Sequence, residues 1–479
     1  MQMIAFRFTF SWIIFALASA SWSAERSHVC RYCRQDAFAA GRAVDANDGQ
    51  RVRNYAPDRR VDVLHIKLEV TPDFQEQTVA GTATLTFQPL ARPLTTLVLD
   101  GVNLRIEAVE SDHAIKDFAA SADDVSVTFR EPIPPDQQAW VEIKYAAEPK
   151  KGLYFRTEAM GYPAGDDHLW TQGEPHESRH WYPCFDAPNE RSSTEVICHV
   201  PKAMTVLSNG QLMSTDIDPD TGWKRVRWLQ EKPHVNYLIC LVAGHLHGIE
   251  DEAGDVPLAF YTQPSRAAYI ESGFRDTAQI MAFYEEEIGV PYPWVKYYQV
   301  TIGDFMWGGM ENTTLTTLHQ GAVFSDAVEN TRTNRRLDAH ELAHQWFGNY
   351  VTCKDWSHLW LNEGFATYYT HLYEGSKFGR DALLYGLYAD ARDKIFPNDG
   401  DTRPIVYREY ESPWEQFDFR AYPKGSWVLH MLRSKIGAEL FQKAIRKYLQ
   451  QHALTHVETE ELRAALEDVS GETVDRFFE

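Results

Sequence analysis

The sequence predicts a two-part molecule, an N-terminal all-β domain followed by an α+β, mostly helical domain. Two observations carry that fold class. From Val61 to about residue 250, apolar and polar residues alternate in short runs separated by Pro, Gly or Asp, which is the period of half-buried strands. Beyond that stretch, apolar residues recur every three or four positions, the period of helices packed on one face. The chain's 479 residues, 44% hydrophobic and 24% charged, are ample for more than one globular core.

The elements follow in order. In "MQMIAFRFTFSWIIFALASASWSAERS" one Arg precedes an apolar run, Phe8 to Leu17, and small residues follow to Ala24. That order is a secretory signal peptide over residues 1–24, too short for a bilayer-spanning helix. The expectation is an exported protein, periplasmic or extracellular, with no stable membrane insertion once the signal is removed. Residues 25–57 read as a loosely ordered lead-in. In the β domain, expected over residues 58–250, Leu64, Ile66, Leu68 and Val70 alternate with His65, Lys67 and Glu69. Ala83, Leu85 and Phe87 alternate with threonines, and "VSVTF" and "WVEIKY" repeat the habit. In the second part, residues 251–479, helical spacing links Ile270, Phe274, Met281 and Tyr284, then Leu429, Leu432 and Ile436, then Phe441, Ile445 and Tyr448. One strand-like run, "YYQVTIG" at 297–303, interrupts the helices.

A net charge of −21 argues against a nucleic-acid partner, because phosphate contacts need clustered Lys and Arg. The six cysteines, Cys30, Cys33, Cys184, Cys198, Cys240 and Cys353, are even in number, and an exported chain is free to form disulfides. Spacing does not select a connectivity. Cys30 and Cys33 form a C-x-x-C pair with no second pair to complete a zinc site.

Two stretches carry the letters His-Glu-x-x-His, "HELAH" at 340–344 and "HESRH" at 176–180. A metal needs both imidazoles on one helical face, where positions i and i+4 lie ~5–6 Å apart. No Gly or Pro interrupts residues 322–347, so a long helix is possible there, with Leu337, His340, His344 and Phe347 on one face. The 176 copy sits between Pro175 and Pro183, leaving barely two turns, and is read as loop. A catalytic zinc keeps three protein ligands and one open position. Glu363, on a second helical run from Ser357 to Gly375, is the candidate third ligand beside His340 and His344. His358 and His371 on that run are read as structural. Zinc lowers the pKa of water to ~7, and Glu341, a quarter-turn from the ligand pair, is placed to take the proton. The pattern suits metal-assisted amide hydrolysis with one Zn2+ per chain.

At this point the residues resemble a known family. "HELAHQWFGN" and "WLNEGFATY", with eighteen residues between His344 and Glu363, "GGMEN" at 308–312, "TQGEPHESRHWYPCFDAPNER" at 171–191 and "YPKGSWVLHML" at 422–432 are together similar to the zinc aminopeptidases of the aminopeptidase N family. These are gluzincins with a thermolysin-like catalytic domain, and the likeness runs from about residue 60 to the end. The resemblance implies further roles. Glu311 and Glu174, with Gln172 nearby, would bind the free α-ammonium of a peptide substrate. The Gly308, Gly309 and Met310 backbone, with Asn312 closing the motif, would line the extended substrate, and Tyr422 would steady the oxyanion. Three departures stand out: Gly309 where most members have Ala, no Trp-Gly after the motif, and an end at "DRFFE" where members usually continue into a C-terminal domain. The competing readings are a catalytically idle peptide-binding scaffold, a thermolysin-like endopeptidase, and an epoxide hydrolase suggested by Gly309.

Overall fold

The computed structural model of the protein describes residues 52–479. The expected signal peptide, most of the lead-in, and Cys30 and Cys33 lie outside the described residues. The first half is built on a seven-stranded sheet. Its order is Gln211–Ile217, Trp223–Val235, Arg191–Pro201, Val61–Asp73, Thr78–Pro89, Ala139–Ala147 and Arg105–Ser111. All neighbours are antiparallel except Val61–Asp73 against Arg191–Pro201, which are parallel. A three-stranded sheet (Leu94–Asp100, Asp124–Ile133, Ile115–Ala120) and a four-stranded one (Thr205–Ser208, Leu241–Gly244, His168–Thr171, Leu153–Arg156) accompany it.

Alternation decides which side chains enter this core. Ile66, Leu68, Val70, Ala83, Leu85, Phe87, Val125, Val127, Phe129, Val141, Ile143 and Tyr145 are all buried. Full burial stabilises each large apolar side chain by about 1.5–3 kcal/mol. Leu64 departs from the expected face. A register shift between Val63 and His65 inserts one unpaired residue, so Val61 and Val63 turn inward while Leu64 is only half-buried. A bulge reverses the side-chain phase in this way.

The second half opens on a five-stranded mixed sheet, ordered His247–Ala253, Val256–Thr262, Tyr297–Ile302, Leu315–His319 and Gly309–Met310. The boundary expected at residue 250 thus falls inside its first strand. Helices Ile270–Phe274, Thr277–Ile288, Arg335–His344, Trp360–Phe378, Arg380–Asp390, Gly425–Ile436, Ala438–Gln451 and Thr459–Ser470 complete the unit. The apolar residues expected at helical spacing, from Ile270 to Tyr448, are buried.

Two helix expectations need correction. The uninterrupted stretch before His340 is not one long helix. Only Arg335–His344 is α-helical, preceded by a 3-10 turn at Asp326–Val328. Ser325 accepts from the Ala327 amide, a bond that a helix would use, and the Asn334 side chain ties the helix start to the Gly273 carbonyl. Phe347 therefore lies beyond the helix rather than on its face. The second run begins as a 3-10 turn, Trp356–His358, and its helix passes through Gly375 to Phe378. A Cβ at Gly375 would stand 2.9 Å from the Cβ of Leu383, so the glycine serves close helix packing there.

Cys184, Cys198, Cys240 and Cys353 are buried free thiols. No helix among the described residues is long and apolar enough to cross a membrane.

Candidate active site

The helix Arg335–His344 and the start of the helix Trp360–Phe378 face each other, and between them three side chains meet. His340 Nε2, His344 Nε2 and Glu363 Oε2 form a triangle with every edge 3.2 Å. Tetrahedral coordination at ~2.0–2.1 Å places ligand atoms about 3.3–3.4 Å apart, so the residues present fit a zinc ion. Burial and hydrogen bonding prepare them for it. His344 Nδ1 donates to the Phe347 carbonyl at 2.9 Å, which turns Nε2 toward the triangle. Burial pushes the His340 imidazole down to about 4. Burial opposes charge on His344 too, yet Glu311 and Glu363 hold its pKa well above the ordinary value. Glu363 stays ionised, at about 2, because the two imidazoles overcome its burial.

Glu341 and the triangle line one pocket, shared with Trp307, Gly308, Gly309, Glu311, Trp414, Phe417 and Tyr422. Burial, with Glu311 and Glu363 nearby, raises the Glu341 carboxyl well above its usual range despite the opposing His344. A Cβ at Gly309 would stand 2.3 Å from Glu341 Oε1. The missing side chain at 309 is the space that the Glu341 carboxylate occupies.

A second acidic group abuts the first. Glu174, Glu311 and Glu363 place carboxylate oxygens within 4.8 Å of one another, all buried. Among the described residues, one oxygen of Glu174 and one of Glu311 have no hydrogen-bond partner. Burial, then Glu311 and Glu363, raises Glu174 well above its ordinary value, and burial raises Glu311. Such a cluster calls for a cation. Gln345 Nε2 and Asn349 Nδ2 donate to the Glu311 carbonyl at 3.1 and 2.7 Å. The N-terminal half braces Asn349 in turn, since Arg191 Nη2 donates to its carbonyl at 3.0 Å.

Among the described residues Gly309–Met310 is the outermost strand of its sheet, paired only with Leu315–His319. Of the residues expected to bind substrate, Gly308, Gly309 and Glu311 stand on the pocket wall. Gln172, Met310 and Asn312 are buried and support that wall. Gln172 Nε2 donates to Met310 Sδ at 3.1 Å, and Asn312 Nδ2 to Thr317 Oγ1 at 3.3 Å. Tyr422 lies in a π-helical turn, Arg420–Lys424, its ring parallel to that of His340 at 6.2 Å between centroids.

The "HESRH" copy folds as a 3-10 turn at Ser178–His180, and Glu177 pairs with Lys151 and His180. Neither His176 nor His180 joins a metal-sized group among the described residues. His358 and His371 are structural: His358 faces Thr459 and Arg408, and His371 bonds Asp390 at 2.8 Å. Sequence reasoning missed the aromatic wall of Trp307, Trp414 and Phe417. The ring centroids of Trp307 and Trp414 are 5.5 Å apart, and those of Trp414 and Phe417 5.3 Å. Its one available signal was adjacency, since Trp307 directly precedes "GGMEN" and "WEQF" lies just before Tyr422.

Comparison with known proteins agrees with this geometry. Residues 62–238 match the Peptidase M1 N-terminal domain and residues 273–479 match the Peptidase family M1 domain. Aminopeptidase M1 of Arabidopsis thaliana is 34% identical over 64% of this chain and 36% of its own length. Glutamyl aminopeptidase of Homo sapiens is 29% identical over 87% of this chain and 46% of its own. The chain spans about half or less of the length of such curated relatives. A crystal structure of an M1 zinc metallopeptidase mutant from Deinococcus radiodurans, bound to a Tyr-Ser-Ala substrate, superposes with a TM-score of 0.72. It is 25% identical, and the match covers 87% of this chain and 93% of that one. With both domain matches in order and the ligand triangle in place, the chain belongs to peptidase family M1, the family of aminopeptidase N.

Proposed function

We propose that this chain is a zinc-dependent aminopeptidase that removes N-terminal residues from peptides. One observation carries the reading: Glu363 belongs both to the ligand triangle with His340 and His344 and to the acidic group with Glu174 and Glu311. A metal centre and an ammonium-sized acidic clamp therefore stand side by side, so the amide within reach of the metal is the first of a peptide. Bound zinc supplies Lewis acidity and a lowered water pKa. Glu341 takes a proton from the attacking water and returns it to the leaving amine. Glu174 and Glu311 hold the α-ammonium, the Gly308–Met310 edge pairs with substrate backbone, and the Tyr422 hydroxyl donates to the oxyanion. An idle scaffold needs none of these groups together. The apolar run Phe8–Leu17 followed by small residues supports export as the setting for this activity.

Hydrolysis of leucyl- or alanyl-anilide, abolished by a chelator and restored by zinc, is the expected result. Peptides with an acetylated N-terminus should resist cleavage, and equal turnover of acetylated and free peptides would overturn the exopeptidase reading. Glu311→Ala should lower kcat/KM for free-amine substrates by roughly 10–100-fold, the value of one charge-assisted hydrogen bond.

The walls also set side-chain preference. Trp307, Trp414 and Phe417 form an apolar side, and no Lys or Arg is among the lining residues. An N-terminal Asp or Glu would meet Glu174, Glu311 and Glu341 with no Lys or Arg to pair it, and like charges so placed cost several kcal/mol. Apolar aminoacyl-anilides should exceed glutamyl-anilide by about 100-fold or more in kcat/KM. Comparable rates in a substrate panel would show that another group neutralises the acidic side chain.

A further inference from the structure

Outside the active site the described residues contain one more metal-sized group, Asp355, His358 and Glu458. Its cation is already present in the chain. Arg408 Nη1 donates to Asp355 Oδ2 at 2.9 Å, and its Nη2 lies 2.8 Å from His358 Nε2 and 3.5 Å from Glu458 Oε1. His358 Nδ1 faces Thr459 Oγ1 at 3.0 Å. The Thr459 amide donates to the same Nδ1 at 3.2 Å, which ties His358 to the residue after Glu458. The group is thus a socket built around an arginine fork.

The socket and the arginine belong to two segments that the site needs in register. Asp355 accepts from the Ser357 amide and caps the 3-10 turn Trp356–His358, which runs directly into the helix carrying Glu363. Downstream of Arg408, Ser412 caps the turn Pro413–Gln416. That turn bears Trp414, and Phe417 and Tyr422 follow. Trp356 and Phe417 meet at 5.9 Å between ring centroids.

A strap on the outer side holds the arginine in its socket. The Asn54 amide donates to the Arg408 carbonyl at 2.7 Å, and Asn54 Nδ2 reaches the Arg408 and Tyr410 carbonyls at 3.2 and 2.6 Å. The Tyr55 ring lies 4.7 Å from the guanidinium carbon. Asn189 Nδ2 donates to the Pro57 carbonyl at 2.9 Å and Arg59 pairs with Glu190 at 2.8 Å, so the strap's other end is fastened to the β half. Residues 53–59 form no helix or strand, yet their bonds are specific.

We infer that Arg408 is a positioning residue for catalysis: locked by Asn54 and Tyr55, it registers the segment bearing Tyr422 against the helix bearing Glu363. The inference rests on the proposed aminopeptidase activity and on Tyr422 as oxyanion donor. An interaction made only in the transition state affects kcat and leaves KM nearly alone. Arg408→Met should therefore lower kcat about tenfold on an aminoacyl-anilide with KM and zinc content unchanged, and Asn54→Ala about threefold. Each should be combined with Tyr422→Phe. If Arg408 acts through Tyr422, the second substitution adds little to the first, because contributions of coupled residues are not additive.

An inactive parent protein overturns the proposed activity itself. An active parent whose Arg408→Met and Asn54→Ala variants keep full kcat overturns only the positioning role. So does a loss that multiplies fully with that of Tyr422→Phe. Should Arg408→Met fail to fold, the Asn54→Ala cycle decides, since that change removes only side-chain bonds at the strap.

Discussion

Replacing Glu341 with Gln is expected to lower kcat for aminoacyl-anilide hydrolysis by about 10²–10⁴, the usual contribution of a general base, while the protein retains one zinc per chain. The argument is geometric. Glu341 lines the pocket with the ligands but is not one of the three atoms of the 3.2 Å triangle. Gln keeps the shape and the acceptor oxygen, and it loses the ability to accept a proton. Its position should survive as well, because the glycine at 309 leaves room for either side chain where a Cβ would intrude. KM should therefore change little. A loss of this size corresponds to about 3–5 kcal/mol of transition-state stabilisation. Elemental analysis alongside the kinetics separates the outcomes. Turnover within tenfold of the parent removes Glu341 from the role of base, and loss of zinc together with activity makes it part of the metal shell instead.

Much of that site was legible in the sequence because its geometry is local. Two imidazoles four residues apart on a helix need no long-range information to converge, and a second helical run close behind them offered Glu363. The same holds for strands such as Thr78–Pro89, whose alternation alone sorts core from surface. What could not be read depends on distant partners. The phase reversal at Leu64 comes from an extra residue opposite the neighbouring strand. The helix before His340 is short because its upstream residues bond to Gly273 and to their own backbone. Trp414 and Phe417 reach the pocket from a segment whose start is fastened by Arg408 and Asn54, 354 positions apart in the chain. The acidic clamp is intermediate: Glu311 and Glu174 come from different halves, and the family resemblance, rather than spacing, brought them together. Burial and missing partners now give the pair a physical reason to take a cation.

Replacing Glu363 with Ala is expected to abolish both activity and the stabilisation that zinc confers, and to leave the zinc-free fold intact. In the parent, zinc at a thousandfold over its Kd stabilises the folded state by about 4 kcal/mol, so its melting temperature should rise with added zinc. Glu363 supplies one corner of the triangle, and its loss leaves two imidazoles. A pair of ligands holds the ion far more weakly, so the rise should vanish at the same zinc concentration. The zinc-free protein has less to lose. Removing Glu363 deprives His344 of a counter-charge, but it also relieves Glu174 and Glu311 of a third carboxylate within 4.8 Å, and these effects oppose each other. The zinc-free melting temperature should stay within a few degrees of the parent's. Glu363→Gln provides the isosteric check if the alanine leaves an unstable cavity. A zinc-induced rise that persists undiminished in both variants means that Glu363 is not a ligand, and the union of metal centre and amine clamp on one carboxylate is then lost.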